Sequence, residues 1–399
     1  MGIRKNCFIL IENQLYINVE QGILKLCFFL FTMTKPFAIF ERKSGIHIFN
    51  FLPITVIRAI RVLQFTFNFY NKKKKFKESG NTISTVKTNY YGHCLLQLRQ
   101  GEQKIFNFRD KVVITSFPRH GAPIEVDKVI CNARIATQCS LAPRVINWDI
   151  GEQYIIEEYI NHRRPSYSFN NLEKIYSETF PILEKILFST TPDPVKINSY
   201  TQKRFYFIES LIKKHQLNNP DFASIIQKTI RFLDFIKFMI ENYKRVEEII
   251  LVSSHGDFWE GNILLNNKYA RVIDWSTLGK RSFYFDYYYF LFMLASNKSG
   301  FDKVDKEGIT QLADVLAKSI NAYYEEIKRK SNCSSLDIRN IQYAEIYRYL
   351  FYLELIELKL VENNPNEEAK SMNEIITWIS RFELIEEIIN SHGASYISS

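Results

Sequence analysis

The chain predicts an α+β protein in two lobes, a small β-rich lobe and a larger helical one, preceded by an apolar, basic N-terminal extension. Three observations carry that expectation. Residues 79–160 string short β-prone runs between turn residues. Residues 161–399 repeat apolar side chains at three- and four-residue intervals over long stretches. Between them in character, residues 254–274 form a polar, glycine-containing turn followed by a short apolar run that ends on an acid. With 399 residues, 46% of them hydrophobic and 24% charged, the chain is long enough and apolar enough for a substantial core.

The extension, residues 1–78, holds thirteen Lys or Arg, four Glu and no Asp, so it owns the whole net charge of +9. Leu24 to Phe40 is rich in Phe and Leu but is broken by Lys25, Lys35 and Pro36, so no charge-free run reaches the length of a bilayer span. It is also a poor signal peptide, since no small-residue cleavage site follows it. From Pro53 to Tyr70 the pattern is helical, with Arg58, Arg61, Gln64 and Asn68 on one narrow polar stripe and apolar residues elsewhere. Lys72 to Lys75 follow at once. Packing of the wide apolar face on the rest of the protein is the commoner fate of such a helix. Peripheral contact with an anionic membrane through residues 1–78 is the other outcome, giving a cytoplasmic protein with a membrane-peripheral option.

In the β-rich lobe (79–160), His93–Gln100, Lys104–Phe108 and Lys111–Phe117 read as strands separated by Gly101-Glu102-Gln103 and Arg109-Asp110. A helix is expected from Ile124 to Cys139, and a strand from Tyr154 to Ile160. In the helical lobe (161–399), helices are expected over Leu172–Phe188, Arg204–His215, Phe222–Glu248, Tyr284–Ser296, Lys306–Lys330, Leu336–Val361 and Glu367–Ile389. Arg163-Arg164-Pro165 and Thr190–Tyr200 read as loops.

The chemistry sits in Ser254-His255-Gly256-Asp257-Phe258-Trp259-Glu260-Gly261-Asn262 and in Val272-Ile273-Asp274-Trp275. Asp257 and Asn262 stand five positions apart, so one short loop can present both side chains together. Asp274 ends the apolar run Arg271-Val272-Ile273, which reads as a strand. Phosphoryl transfer needs a carboxylate to orient the attacking hydroxyl and oxygen ligands for Mg²⁺. Asp257 suits the first role, and Asn262 with Asp274 suits the second. An ordinary polar turn would explain any one of these residues; their joint spacing argues for a site.

H-G-D-x-x-x-x-N with a downstream I-D-W resembles the aminoglycoside phosphotransferase and choline kinase superfamily, small-molecule kinases with a protein-kinase-like fold. Protein kinases resemble the chain more distantly: they have Arg in place of Gly256 and Phe-Gly in place of Trp275-Ser276. Gly256 removes the Arg through which many of them sense a phosphorylated loop. The resemblance implies an ATP-dependent kinase acting on a hydroxyl of a small molecule or glycan, with ATP and Mg²⁺. Asp286 matches a structural Asp that braces the catalytic loop, and His255 reads as structural too. Adenine would lie on backbone near Glu158 and Ile160.

The chain departs from the resemblance at one place. Laid on a V-x-I-K strand pattern, Val112-Val113-Ile114 is followed by Thr115, where the phosphate-holding Lys is expected. Lys111 is the candidate carried for that role, with Lys104 also nearby, and both sit at other strand phases. The next helix offers Glu125, beside Lys128, and both also read as solvated helix charges. A nucleotide-binding pseudokinase or a membrane-peripheral scaffold is therefore the alternative function.

Two classes are disfavoured. Residues 79–399 hold 39 basic and 39 acidic side chains, so no global field for nucleic acid exists there. The six cysteines are scattered without C-x-x-C, and they read as reduced thiols rather than disulfides or a zinc site.

Overall fold

The computed structural model describes residues 5–41, 52–79, 84–98, 101–118, 125–218, 222–243, 245–267, 269–296, 303–331, 341–362 and 368–397. The expected helix starts at Ile124, Leu336 and Glu367 lie outside them. The chain divides into two compact units, Met1–Pro165 with Ile263–Ser276, and Ser166–Asn262 with Thr277–Ser399.

The first unit is built on an antiparallel sheet. Its elements are β1 (Asn6–Glu12), β2 (Leu15–Asn18), α1 (Ile23–Met33), α2 (Ile54–Ser79), β3 (Thr85–Thr88), β4 (Cys94–Gln97), β5 (Gln103–Asn107), β6 (Val112–Ser116), α3 (Val126–Ala136), β7 (Val145–Asp149) and β8 (Tyr154–Glu158). Among the described residues eight strands pair in the order β3-β1-β2-β4-β5-β6-β8-β7. Strand alternation sends Phe8, Leu95 and Ile105 to one face and Ile9, Ile11, Leu15 and Ile17 to the other. Leu26 and Leu30 of α1 with Val62, Phe65 and Phe69 of α2 close over that second face.

Residues 1–78 are thus no extension ahead of the β-rich lobe: β1 and β2 are interior strands of its sheet, bonded to β3 and β4. They form a hairpin with each other across Asn13-Gln14, but β3 and β4 are remote in sequence, and no local pattern announces that pairing. Arg58, on the polar stripe of α2, is buried at 2% exposure. Its guanidinium donates to Leu30 O at 3.2 Å, Phe31 O at 3.0 Å, Thr34 Oγ1 at 2.7 Å and Glu41 Oε1 at 2.9 Å. It satisfies the carbonyls that the end of α1 leaves without helical partners. The lysine run continues α2, and two of its four members turn inward. Lys72 Nζ donates to Leu10 O and Ile11 O, each at 3.0 Å, and Lys73 Nζ to Gln21 O at 2.8 Å.

The second unit is mainly helical. It contains α4 (Leu172–Leu187), β9 (Asp193–Lys196), α5 (Ile197–Asn218), α6 (Ala223–Asn242) and β10 (Glu248–Ser254). The chain then returns to the first unit as the hairpin β11 (Ile263–Asn266) and β12 (Tyr269–Val272). The second unit resumes with β13 (Gly279–Ser282), α7 (Phe285–Ser296), α8 (Lys306–Ser331), α9 (Ala344–Val361) and α10 (Glu368–Ile397). Two expectations change here. Thr190–Tyr200 is not a loop, because Asp193–Lys196 pairs with β10. The helix expected over Phe222–Glu248 stops at Asn242, and Glu248 opens β10 instead. The aromatic run Tyr284–Tyr289 is core, with Tyr284, Phe285, Tyr287, Tyr288 and Tyr289 all buried.

Candidate active site

In the second unit, β10 delivers the His-Gly-Asp turn. Asp286, on the first turn of α7, braces it by accepting from Ser254 Oγ at 2.9 Å, His255 N–H at 2.7 Å and Gly256 N–H at 2.9 Å. Gly256 has φ +84°, and a Cβ there would stand 2.7 Å from Thr277 O. Only glycine fits that left-handed position so close to backbone. His255 is fully buried, and its Nδ1 accepts from the Asp257 N–H at 3.2 Å. Gly261 is required by close approach of a side chain. Any Cβ there would meet the Trp259 ring at 2.3 Å, so the indole lies directly on the loop backbone.

Asp257 and Asn262 do meet. Asn262 Nδ2 donates to Asp257 Oδ2 and to Asp257 O, both at 2.8 Å. Both bonds use Nδ2, which leaves Oδ1 as the atom to offer a cation. The other Asp257 oxygen, Oδ1, accepts from Tyr289 Oη at 2.7 Å. Burial pushes the Tyr289 phenol well above its ordinary pKa, and Asp257 beside it adds to the shift, so this hydroxyl stays a donor. Tyr289 in turn stacks on Trp378, with ring centroids 5.8 Å apart. Tyr289 was not singled out from the sequence, where it is one of a run of interchangeable aromatics.

In the first unit, the sheet, α3 and residues 36–39 enclose a cavity of about 440 Å³, within the range of small-ligand sites. Its walls are mostly apolar, with Leu15, Phe37, Leu96, Phe106, Val129 and Ile155 among them. Glu158 and Ile160, expected to border adenine, both line it. Glu158 is held by Arg271 Nη2 at 2.6 Å. The segment that follows β8 is anchored to the end of α1: Asn161 Nδ2 donates to Thr32 O at 2.9 Å, and Tyr159 Oη donates to Met33 O.

The polar end of the cavity carries Glu102, Lys104, Thr115, Glu157 and Asp274. Asp274 follows β12 with φ +65°, a left-handed conformation uncommon for a residue with a side chain. Its Oδ1 meets Lys104 Nζ at 2.5 Å. Lys104 on β5 stands directly across from Thr115 on β6. Lys104 therefore brings a cation to the level of the expected strand position, on the same sheet face of the neighbouring strand. Lys111, carried as the phosphate candidate, is exposed in the β5–β6 turn at φ +54° and does not line the cavity. A turn residue projects away from the sheet face, which removes it from the role. Glu125 pairs instead with Lys128, at 3.6 Å on the exposed surface.

Burial opposes the Lys104 charge, but Asp274, with Glu157 and Glu102 adding to it, holds the ammonium above the ordinary lysine pKa. Glu157 is pushed up to about 7 by burial, with Lys104 pulling down and Asp274 pushing up. Only strand register reveals these contacts, so no motif could have found them.

No protein-family profile and no curated protein matches the sequence. Solved structures do match. A choline kinase from Cryptosporidium parvum superposes with a TM-score of 0.50 at 14% identity, covering 75% of this chain and 90% of its own. The chain shares the fold of that choline kinase. Other matches include a Streptococcus pneumoniae choline kinase (TM-score 0.44, 13% identity, 81% of this chain and 98% of that one). An aminoglycoside phosphotransferase solved with ADP matches at TM-score 0.40 and 15% identity, over 74% of this chain and 93% of that one.

Proposed function

We propose that the protein is an ATP-dependent phosphotransferase acting on a hydroxyl of a small molecule or glycan. The observation that carries this reading is the Lys104–Asp274 pair, at 2.5 Å, in a cavity whose walls are mostly apolar. An apolar slot suits a base, and an adjoining cation and carboxylate suit a phosphate chain and its metal. Lys104 takes the role of the phosphate-holding lysine. Lys104 opposite Thr115 supports an active kinase over a pseudokinase.

Asp257 orients the acceptor hydroxyl and takes its proton late in an in-line transfer of the γ-phosphoryl group. Asn262 keeps one Asp257 oxygen in place and Tyr289 keeps the other, so the carboxylate is positioned before the acceptor arrives. Asp274 would offer a carboxylate oxygen and Asn262 an amide oxygen, each a hard ligand of the kind Mg²⁺ takes while it keeps most of its waters. When bound, the ion would neutralise phosphate charge.

The test is calorimetric titration with Mg·ATP, followed by phosphoryl-transfer assays over pooled amino alcohols, aminoglycosides and sugars. Binding with turnover of at least one acceptor class is expected. Absence of nucleotide binding would overturn the reading.

A further inference from the structure

The outer face of α1 and α2 is not used by the proposed reaction, and it is unusually apolar. Of the twenty-one exposed large apolar side chains among the described residues, ten lie on these two helices. The most exposed are Leu24 at 88%, Phe67 at 68%, Phe28 at 63% and Leu63 at 61%. Elsewhere they stand singly or in smaller groups, such as Ile146, Trp148 and Ile150 at β7 and Tyr206 with Phe207 on α5, which is ordinary for a protein surface. Here they repeat at helical spacing: Leu24, Phe28 and Phe31 on α1, with Val56, Ile60, Leu63, Phe67 and Tyr70 on α2.

The two stripes form one patch. Arg58 near the start of α2 bonds the end of α1, and Lys73 near the end of α2 bonds Gln21 just before α1, so the helices run antiparallel side by side. Both bury their opposite stripes on the same sheet face, so both outer stripes point away from it. Contiguous apolar surface of this kind marks an interaction site.

Charge decides the occupant. Where the end of α2 lies beside the start of α1, Lys25, Lys74, Lys75 and Lys77 are exposed, against Glu20 and Glu78. A patch of aromatic and aliphatic side chains with a lysine-rich end is complementary to an anionic lipid surface, where rings enter the headgroup boundary and ammonium groups meet phosphates. No helix among the described residues is long and apolar enough to cross a membrane, so the contact is interfacial. We propose that the α1–α2 face docks the protein on anionic bilayers.

The test uses the full chain with vesicles of phosphatidylcholine alone or mixed with phosphatidylserine, in co-sedimentation at low and high salt. Binding to the anionic vesicles, lost at high salt and weak on neutral ones, is expected. The pair Leu63→Gln and Phe67→Gln should abolish it while leaving the melting temperature unchanged, because both side chains are already exposed. Lys74→Gln and Lys75→Gln should each weaken it roughly five-fold. If the full chain ignores anionic vesicles, the proposal fails. It also fails if the same apolar variants instead break up a dimer seen by light scattering, since the face would then belong to a second copy.

Discussion

Lys104 and Asp274 are 170 positions apart, and their side chains meet at 2.5 Å. A β5 lysine thus reaches a carboxylate that leaves β12 in a left-handed conformation, and it does so on the face where Thr115 occupies the expected lysine position.

Replacing Lys104 by Met keeps the stem and removes the charge. Affinity for Mg·ATP should fall by one to two orders of magnitude, about 1.4–3 kcal/mol, the worth of a charge-assisted contact to phosphate. Lys111→Met, in the exposed turn, should leave affinity unchanged. Calorimetry on both variants checks this, and equal losses would remove Lys104 from the role.

Asp274→Ala should abolish metal-dependent nucleotide binding, with the fold intact, since the carboxylate is 45% exposed. Circular dichroism and titration with ATP in the presence and absence of Mg²⁺ provide the measurement. Mg²⁺-dependent affinity unaltered by the change would show that the ion is held elsewhere.

Asp257→Asn preserves shape and the Asn262 neighbour but removes the proton acceptor. Turnover of an identified acceptor should drop by about 10²–10⁴, with ATP affinity little changed. Tyr289→Phe should lower turnover less, because it frees one carboxylate oxygen from its donor without removing the carboxylate. A Tyr289 effect larger than that of Asp257 would reverse the two roles.

Arg58→Met should destabilise the protein by about 3 kcal/mol, since it removes the buried guanidinium that bonds Leu30 O, Phe31 O and Thr34 Oγ1 and leaves Glu41 to its longer pairing with Arg163 at 3.7 Å. Chemical denaturation measures this. Arg61→Met, on a partly exposed side chain, is the control and should cost under about 1 kcal/mol.

His93 gives a pH dependence. Burial, with Lys25 nearby, lowers its pKa to about 4, and its Nδ1 accepts from the Phe108 N–H at 3.2 Å. An unfolded chain protonates this imidazole below its ordinary value of 6.5, while the folded chain stays neutral down to about 4. The folded state binds fewer protons in that window, so stability falls as pH falls through it, by about 3 kcal/mol for this group. The stability difference between wild type and His93→Gln should therefore shift in the variant's favour between pH 6.5 and 4. A difference independent of pH would show that the imidazole titrates normally.

The sequence by itself determined the His-Gly-Asp turn, because several of the contacts that shape it are local. Asn262 reaches Asp257 across five residues, and Gly256 is demanded by a backbone angle. It also determined that long helices follow, since a 3.6-residue period is written into each segment. Tertiary structure alone decided which lysine faces Asp274, because alternation tells which residues share a strand face but not which strand lies alongside. It alone made β1 and β2 part of the sheet, since an interior strand is defined by partners dozens of residues away. Arg58 shows the same limit from the other side. Its place on a polar stripe left its surroundings open, and four acceptors brought together by the packing of α1 on α2 made burial the stable state.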